Sequence, residues 1–351
     1  MSNQYIKGRG AQINQTHRFA KNTYEYDTID NDEKEDKKIK TKFIEVFPKT
    51  IVNEVKSKDV PLEYSMNPYA GCEHGCSYCY ARNTHPFWGY NAGIDFESII
   101  LVKKNAAQLL EQKLNSKSWR ATSIMLSGNT DCYQPIERKL GITRQMLEVL
   151  LKYKNPVGII TKNELILRDI DLLSELAQLS LVHTVISITT TDEVLRRKLE
   201  PRTSTYKNRL YAVEQLAKNN IPVMVNIAPI IPGLNDVDIL KIAKDVANAG
   251  ALNINHNILR LPEEVEPIFY DWLQKNYPDR VDKVWNKVKA VHGGQIADTK
   301  SGRRMRGEGI FADSIKQQML IAKKQYFTNR TIPKLRTNLF LNDFNRQQSL
   351  F

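Results

Sequence analysis

Short runs of β-forming residues alternate with longer amphipathic stretches along most of this chain, and this alternation restricts the fold more than any other feature of the sequence. The β-type runs recur about every 30 residues, the spacing of repeated strand–helix units, which predicts a parallel sheet. Most of the runs are apolar without strict alternation, as expected for strands covered on both faces. The predicted strands are Leu62–Tyr69, Ser123–Ser127, Val157–Thr161, His183–Thr189, Val223–Pro229 and Ile254–Leu259.

Six strand–helix units are too few for a closed eight-stranded barrel, so we predict an α/β fold of the partial (β/α)6 TIM-barrel type. Its helices are predicted from apolar residues at helical spacing over Ala106–Lys117, Thr143–Tyr153 and Val237–Ala249. The predicted divisions of the chain are an irregular N-terminal extension (1–60), the partial barrel (61–262) and a helical C-terminal extension (263–351).

The two ends of the chain differ from its centre. The basic, Gly-rich KGRGAQINQTHRF and the mixed charge run NDEKEDKKIK (31–40) are expected to be solvated or loosely packed. FIEVFPKTIVNEV then predicts an early strand or hairpin that is interrupted at Pro48. Beyond residue 260, helical spacing predicts helices over Glu263–Lys275, Arg280–Val291 and Ala312–Tyr326.

Composition excludes several classes of protein. Of the 351 residues, 41% are hydrophobic, which supports a sizeable core and excludes a disordered chain, a fibre and a disulfide-stapled miniprotein. No run of about 18 apolar residues occurs, which argues against a membrane span. The polar N-terminus lacks the apolar region of a secretory signal, so we expect a cytoplasmic protein.

The chain is basic, with 51 Lys and Arg against 39 Asp and Glu and a net charge of +12. This balance permits a nucleic-acid partner, although a general excess of lysine explains it as well. Several residues could contact a nucleic acid. The alternatives are that the charged ones form a solvated face and that the aromatic ones pack in the core. Those residues are Lys37, Lys38, Lys40, Lys42, Arg303, Arg304, Arg306, Phe87, Trp88 and Tyr90.

Three of the four cysteines, Cys72, Cys76 and Cys79, lie close together in the sequence. Such clustering in a chain without a secretory signal indicates metal or redox chemistry rather than structural disulfides. Three thiolates from one tight loop suit a 4Fe–4S cluster in which one iron has no protein ligand. The alternative is zinc with His85 or Cys132 as fourth ligand, although zinc sites more often use pairs of Cys-x2-Cys.

The segment that carries these cysteines, CEHGCSYC, resembles the signature of the radical S-adenosylmethionine (SAM) superfamily. The resemblance implies a partial barrel, a 4Fe–4S cluster on three cysteines, and SAM chelated to the fourth iron. It also implies one-electron cleavage of SAM to methionine and a 5′-deoxyadenosyl radical that abstracts hydrogen from a substrate. The electron would come from a reducing partner such as flavodoxin or ferredoxin.

Further stretches resemble the subgroup that contains spore photoproduct lyase, often described as DNA repair photolyase-like, and are nearest to an uncharacterised bacterial branch of it. They are MNPYAGCEHGCSYCYARNTHPFWGY, NTDCYQPIERKLGITR, IITKNELILRD, SITTTDEVLRRKLEPRTST, NIAPIIPGLND and RMRGEGIFADSIKQQM. They specify the subgroup and not a reaction. Three functions therefore stay open: a radical SAM enzyme that repairs or modifies nucleic acid, a radical SAM enzyme that acts on a peptide or small metabolite, and a non-catalytic zinc module that binds nucleic acid.

Five residues are assigned to SAM from the resemblance and from their positions near strand ends. Tyr78 is expected to shield the cluster with its backbone near the adenine, and Lys162 to pair with the methionyl carboxylate. Ser187 and Thr189 are expected to hydrogen-bond the ribose or the amino-acid part, and Asn226 to present its backbone to the adenine. The alternatives are that Tyr78 is an ordinary packed aromatic, that Lys162 is simply solvated, and that the remaining residues have only structural roles in their strands.

Two further residues receive predictions from their positions. Cys132, the one thiol outside the cluster, lies on a loop expected to face the substrate, and a thiol there could donate a hydrogen atom to a substrate radical. The donor cysteine of spore photoproduct lyase aligns about four residues earlier, near Gly128, and an inert buried thiol is the alternative. His74 is predicted to be a surface residue.

Overall fold

The structure, a computed structural model, describes residues 5–15, 19, 39–60 and 62–342. Lys37, Lys38 and most of the charge run at 31–40 lie outside these ranges, so what the sequence predicts for them stays a prediction. Within the described ranges, no helix is both long enough and apolar enough to span a membrane.

The strands form two sheets. In the described residues they are β1 (Lys42–Val46), β2 (Val52–Glu54), β3 (Tyr64–Met66), β4 (Tyr69–Ala70), β5 (Ile99–Lys103), β6 (Ile124–Leu126), β7 (Val157–Thr161), β8 (Val182–Ile188), β9 (Val223–Ile230) and β10 (Ile254–Ile258). The main sheet has the order β10-β9-β8-β7-β6-β3-β2, and a small sheet has the order β1-β5-β4. In the main sheet β3 and β6 to β10 all run parallel, and β2 pairs antiparallel with β3 at one edge. The predicted partial (β/α)6 fold is confirmed.

Helices lie between the parallel strands and after the last of them. They are α1 (Ile94–Ser98), α2 (Ala106–Leu114), α3 (Glu137–Leu140), α4 (Ile142–Tyr153), α5 (Ile170–Gln178), α6 (Glu193–Leu199), α7 (Tyr206–Lys218), α8 (Ile239–Asn248), α9 (Val265–Asn276), α10 (Val281–Val291), α11 (Arg303–Arg306) and α12 (Ile310–Tyr326). The start of α6 is fixed by Asp192, whose carboxylate accepts from the N–H groups of Val194 and Leu195, and that of α7 by the Thr205 hydroxyl.

The first predicted strand is divided in the structure. The sequence predicts one strand over Leu62–Tyr69, but β3 ends at Met66, and β4, which starts at Tyr69, belongs to the small sheet. Pro68 lies between them and has no N–H to donate to a strand ladder, which explains the break. This break turns the chain away from the main sheet directly before the cysteines.

Alternate residues of the main strands face the helices and the interior of the partial barrel, here called the lumen. On β8, Ile186 and Ile188 belong to the main hydrophobic core under the helices, so Ser187 faces the lumen. Ser187 is in register with Asn226 of β9, and Asn226 with Asn255 of β10. A row of polar side chains therefore crosses the lumen from the carboxyl end of β8, through the middle of β9, to the start of β10.

The N-terminal segment is packed, which corrects the prediction that it is solvated. Arg9, Gly10, Ala11 and Gln12 are all buried. The buried N–H groups of Gly10 and Ala11 donate to the carboxylate of Glu97 at 3.0 and 2.7 Å. Because these polar groups are satisfied inside the protein, a Gly-rich basic segment is buried without an orphaned donor at these positions.

The C-terminal tail, residues 327–342, crosses the amino-terminal end of the barrel. The ring of His183, at the start of β8, lies 2.7 Å from the carbonyl of Pro333. The N–H of Leu341 donates to the carbonyl of Tyr153 at the end of α4, at 3.1 Å, and Arg330 donates to carbonyls at the end of α8. The tail thus covers the end of the lumen opposite to the cysteine loop.

Candidate metal centre and cofactor site

The three clustered cysteines lie on one loop, residues 71–79, between β4 and a 3-10 helix that begins at Tyr80. Cys72 and Cys76 are buried and Cys79 is partly exposed. Burial raises the pKa of all three thiols, and Asp131 and the other two thiols raise that of Cys72 further. The thiols therefore lie within electrostatic reach of one another, and a bound cation would be needed to hold them as thiolates.

The arrangement of these thiols fits a cluster better than a single metal ion. Among the residues that the structure describes, no three Cys, His, Asp or Glu side chains are gathered closely enough to hold one ion. Zinc requires such convergence, whereas cysteines that each bind a different iron of a cluster stand further apart. Cys132 lies in the main core, and the ring of His85 packs against Tyr90, Phe96 and the start of the loop at Gly71.

Two elements fix the backbone of the loop. The guanidinium of Arg82 donates to the carbonyl of Cys76 from Nε at 3.0 Å and from a terminal nitrogen at 2.8 Å. The N–H of Ser77 donates to the carbonyl of Leu199, at the end of α6, at 3.1 Å. The cysteine loop is thus held from the 3-10 helix on one side and from α6 on the other.

His74 lies inside the site, which corrects its prediction as a surface residue. It is 1% exposed, and its Nδ1 lies 3.3 Å from Asp131 Oδ2. Asp131 also accepts from the hydroxyl of Thr161 at 2.7 Å and from the N–H of Lys162 at 2.8 Å. Burial alone would raise the pKa of Asp131, but His74 and these hydrogen bonds outweigh it and lower the pKa to about 2. Asp131 therefore ties the loop after β6 to the cysteine loop and to the end of β7.

Glu200, directly after α6, is a central residue of the site that the sequence did not reveal. It is fully buried and accepts hydrogen bonds from the Tyr78 and Thr189 hydroxyls and from the Arg209 guanidinium. Burial alone would raise its pKa, but Arg209 and Lys162, together with the hydroxyl hydrogen bonds, lower it to about 2. A buried carboxylate held as an anion by these partners orients three of the predicted SAM-binding residues, Tyr78, Thr189 and Lys162.

Lys162 follows β7 and extends toward Glu200. Its Nζ lies 3.9 Å from Glu200 Oε1 and 5.9 Å from the centre of the Tyr78 ring. The Lys162 side chain keeps 18% of its surface exposed. The ammonium is thus oriented by protein groups while one side of it stays open to a further anion.

The other predicted SAM-binding residues differ in how they are engaged. Ser187 and Asn226 lie side by side on the lumen face of β8 and β9. The Thr189 hydroxyl, in contrast, donates to Glu200 at 2.5 Å and lies 3.0 Å from the carbonyl of Ala228. Thr189 is therefore committed to partners in the protein, and Ser187 and Asn226 are the pair that faces the lumen.

Cys132 lies in the main hydrophobic core and is completely buried. Its N–H donates to the Ser127 hydroxyl and its carbonyl accepts from the Thr143 hydroxyl, both at 2.7 Å. Burial raises the pKa of its thiol well above the usual range. This is the environment of an inert core thiol, and the structure does not bring Cys132 to the open side of the site.

The segment of residues 80–90, here called the rim segment, lies at the carboxyl end of the barrel. Tyr80 donates from its hydroxyl to the carbonyl of Gly128 at 2.6 Å, and Asn83 donates to the carbonyl of Pro262 at 2.9 Å. The segment therefore bridges the loops that follow β6 and β10. Three of its aromatic side chains are exposed, Tyr80 by 51%, Phe87 by 68% and Trp88 by 41%, whereas Tyr90 is only partly exposed.

The three arginines of the short helix α11, here called the arginine clasp, contact protein groups. Their partners are Asp298 for Arg303, Asp59 for Arg304, and the carbonyl and ring of His256 for Arg306. The clasp connects β10 at one edge of the main sheet to the loop between β2 and β3 at the other. Because two of the three arginines pair with carboxylates, the positive charge of the clasp is largely neutralised within the protein.

Comparisons with known proteins agree with this architecture. The sequence model of the Radical SAM superfamily matches residues 66–246. An uncharacterized protein of Mycobacterium tuberculosis is 32% identical over 244 residues, covering 69% of this chain and 72% of that protein. An uncharacterized protein of Methanocaldococcus jannaschii is 30% identical over 251 residues, covering 71% of this chain and 89% of that protein.

Solved structures of spore photoproduct lyase share the fold. The complex with dinucleoside spore photoproduct has a TM-score of 0.59 at 16% identity, covering 82% of this chain and 80% of that one. A mutant with bound AdoMet and the dinucleoside has a TM-score of 0.56 at 15% identity, covering 84% of this chain and 82% of that one. The family match extends over half of this chain and includes the three cysteines, the lysine after β7 and the polar row on β8 and β9. This chain therefore belongs to the radical SAM superfamily and is a radical SAM enzyme.

Proposed function

We propose that Cys72, Cys76 and Cys79 hold a 4Fe–4S cluster with one open iron, that SAM binds beside it, and that the substrate is a nucleic acid. The observation that carries the proposal is the loop itself, which presents three interacting thiols without a fourth cysteine and without convergence on a single ion. When bound and reduced, such a cluster supplies the electron that cleaves SAM to methionine and a 5′-deoxyadenosyl radical. A reducing protein such as flavodoxin or ferredoxin is the proposed source of that electron.

The protein's own residues bind and orient SAM in this proposal. Lys162 receives the methionyl carboxylate on the open side of its ammonium, while Glu200 holds the other side. Ser187 and Asn226 provide polar groups for the amino-acid part and the adenine. Tyr78 packs with Cys76 in one apolar cluster and excludes water from it. Thr189 acts through Glu200, and we do not include Cys132 because its thiol is enclosed by the core.

Lys162→Met is expected to weaken SAM binding to the reconstituted protein by about 10- to 100-fold, since a charge-assisted hydrogen bond contributes about 1.5–3 kcal/mol. Equilibrium dialysis under anaerobic conditions with labelled SAM measures this loss. Lys241→Met, on the exposed face of α8, is the matched control and should bind as the wild type does. Equal affinity of the two variants would remove Lys162 from the site.

Three observations support a nucleic acid as the substrate. The rim segment presents open aromatic side chains at the carboxyl end of the barrel, where they could stack on bases. The net charge of +12 favours encounter with a polyanion. The spore photoproduct lyase structures with the same fold bind a dinucleoside.

Trp88→Ala is expected to weaken binding of a single-stranded oligonucleotide by about 5- to 100-fold, because stacking on one aromatic contributes about 1–3 kcal/mol. Fluorescence anisotropy at two salt concentrations gives both the affinity and its ionic component. Tyr211→Ala removes an aromatic side chain of α7 that is 50% exposed, against 41% for Trp88, and serves as the control. If both variants bind as tightly as the wild type, bases do not stack on this segment.

The proposed function as a whole is tested by anaerobic reconstitution with iron and sulfide, followed by SAM and dithionite. We expect about four irons per chain and formation of 5′-deoxyadenosine. The reaction is then repeated with DNA, RNA and short peptides as separate additions. Stimulation by nucleic acid alone supports the proposed substrate class, stimulation by peptide alone contradicts it, and a colourless protein with stoichiometric zinc contradicts the cluster.

A further inference from the structure

The described N-terminal residues 5–15, here called the N-terminal strap, lie directly against the cysteine loop. Gly10 approaches Gly75, which stands between Cys72 and Cys76, so closely that a Cβ at Gly10 would lie 1.7 Å from the Gly75 carbonyl oxygen. The same Cβ would lie 3.1 Å from the nitrogen of Ser77. Only glycine allows this approach, because any side chain would displace either the strap or the loop.

A chain of polar contacts joins the strap to a cluster ligand. Glu97 accepts from the N–H groups of Gly10 and Ala11 and forms a completely buried ion pair with Arg82. Arg82 in turn donates twice to the carbonyl of Cys76. Because Glu97 is completely buried, a shift of the strap would leave its carboxylate without the two N–H donors of Gly10 and Ala11 and would disturb its pairing with Arg82.

The strap is anchored from its other side as well. Arg9 donates to the carbonyl of Glu97 and to that of Ile39, at 2.5 and 2.7 Å. Ala11 packs in a small apolar cluster with Ala92 and with Ile268 of α9. The strap therefore lies between the cysteine loop and the C-terminal helices, and it covers a side of the loop that the barrel itself does not cover.

We propose that the N-terminal strap is a positioning element for the iron–sulfur cluster, which fixes the backbone between Cys72 and Cys76 and slows the loss of iron to solvent. This inference rests on the proposed function, in which that loop holds the cluster. The strap contributes no ligand of its own. Its effect is transmitted through the contact of Gly10 with Gly75 and through the pairing of Glu97 with Arg82.

Gly10→Ala in the full chain tests the proposal, with Gly8→Ala as the matched control. Gly8 belongs to the same strap and has a positive φ of 78°, but a Cβ there meets nothing within 4 Å. Gly8→Ala therefore strains the backbone of the strap without touching the loop. We expect iron release to a chelator to be about 10- to 100-fold faster in Gly10→Ala, and near the wild-type rate in Gly8→Ala.

Two further measurements separate positioning of the cluster from a general loss of stability. The EPR signal of the reduced cluster should shift in Gly10→Ala and not in Gly8→Ala. Hydrogen exchange of residues 71–79 in the metal-free protein should accelerate in Gly10→Ala alone. If Gly10→Ala does not fold, Glu97→Gln is used in its place. Its control is Asp298→Asn, which likewise neutralises a buried carboxylate that pairs with an arginine.

The outcomes distinguish this inference from the proposed function. Suppose that the wild type retains its irons and that Gly10→Ala and Gly8→Ala are alike in iron release, EPR signal and hydrogen exchange. This result overturns the role of the strap but leaves the proposed cluster standing. A wild type that binds no four-iron cluster overturns the proposed function. The exchange measurement on metal-free protein then still shows whether the strap fixes the loop.

Discussion

Cys76→Ala is expected to prevent assembly of the proposed iron–sulfur cluster and to reduce 5′-deoxyadenosine formation to the level of a reaction without protein. Cys76 is buried in the middle of the loop and is bonded through its carbonyl to Arg82, so no other thiol is positioned to replace it. With only two cysteine ligands left, a four-iron cluster would have two irons without protein thiolates and would lose iron readily. Iron and sulfide analysis, together with the visible spectrum, measures the change directly.

Cys132→Ala is the control for this variant because it removes the remaining cysteine. We expect it to retain its irons and its product, with a loss of unfolding free energy of about 1–2 kcal/mol from the small cavity in the core. A loss of cluster in Cys132→Ala would make this thiol a ligand. A loss of substrate turnover with the cluster and SAM cleavage preserved would restore the hydrogen-donor role that its burial argues against.

Glu200→Ala is expected to lower the free energy of unfolding of the metal-free protein by about 3–5 kcal/mol, because removal of one partner of a buried ion pair leaves the other uncompensated. Arg209 loses its carboxylate partner in this variant, and Lys162 loses the anion that orients it. The Tyr78 hydroxyl also loses its acceptor. Urea unfolding followed by circular dichroism measures the effect.

Two variants define how the Glu200 result is interpreted. Asp271→Ala removes a surface carboxylate from an i,i+4 pair with Lys275 and should change stability by less than about 0.5 kcal/mol. Glu200→Gln keeps the shape of the side chain and an acceptor oxygen. We therefore expect its free energy of unfolding to lie between those of the wild type and Glu200→Ala. Should Glu200→Ala unfold like Asp271→Ala, the buried ion pair would not support the site.

The fold was predictable because its signals are local. Val157–Thr161 is a strand in the structure with the predicted bounds, since a short apolar run with adjacent turn residues specifies it without distant partners. The three cysteines were found for the same reason, from their spacing in one loop. Pro68 also acts locally, and weighing it would have shortened the first predicted strand to its observed end at Met66.

The supporting contacts of the site were not predictable because they join distant parts of the chain. Glu200 lies 122 positions from Tyr78, and the buried Glu97 lies 87 positions from Gly10. A carboxylate in a charged stretch carries no mark of burial until its partners are known. His74 was missed for this reason too, since only the fold brings Asp131 to it.

The C-terminal tail gives the lumen a closed lower end, and this has a kinetic consequence. The contact of His183 with Pro333 lies at the amino ends of the strands, whereas Lys162 and the exposed Trp88 lie toward the carboxyl ends. Because the tail covers the amino-terminal end, a ligand that enters from the carboxyl ends and binds deeper is expected to bind before one that binds at the rim segment. In the proposed function SAM binds beside Lys162 and the substrate binds further out at the rim segment, and this arrangement predicts that SAM binds before the substrate.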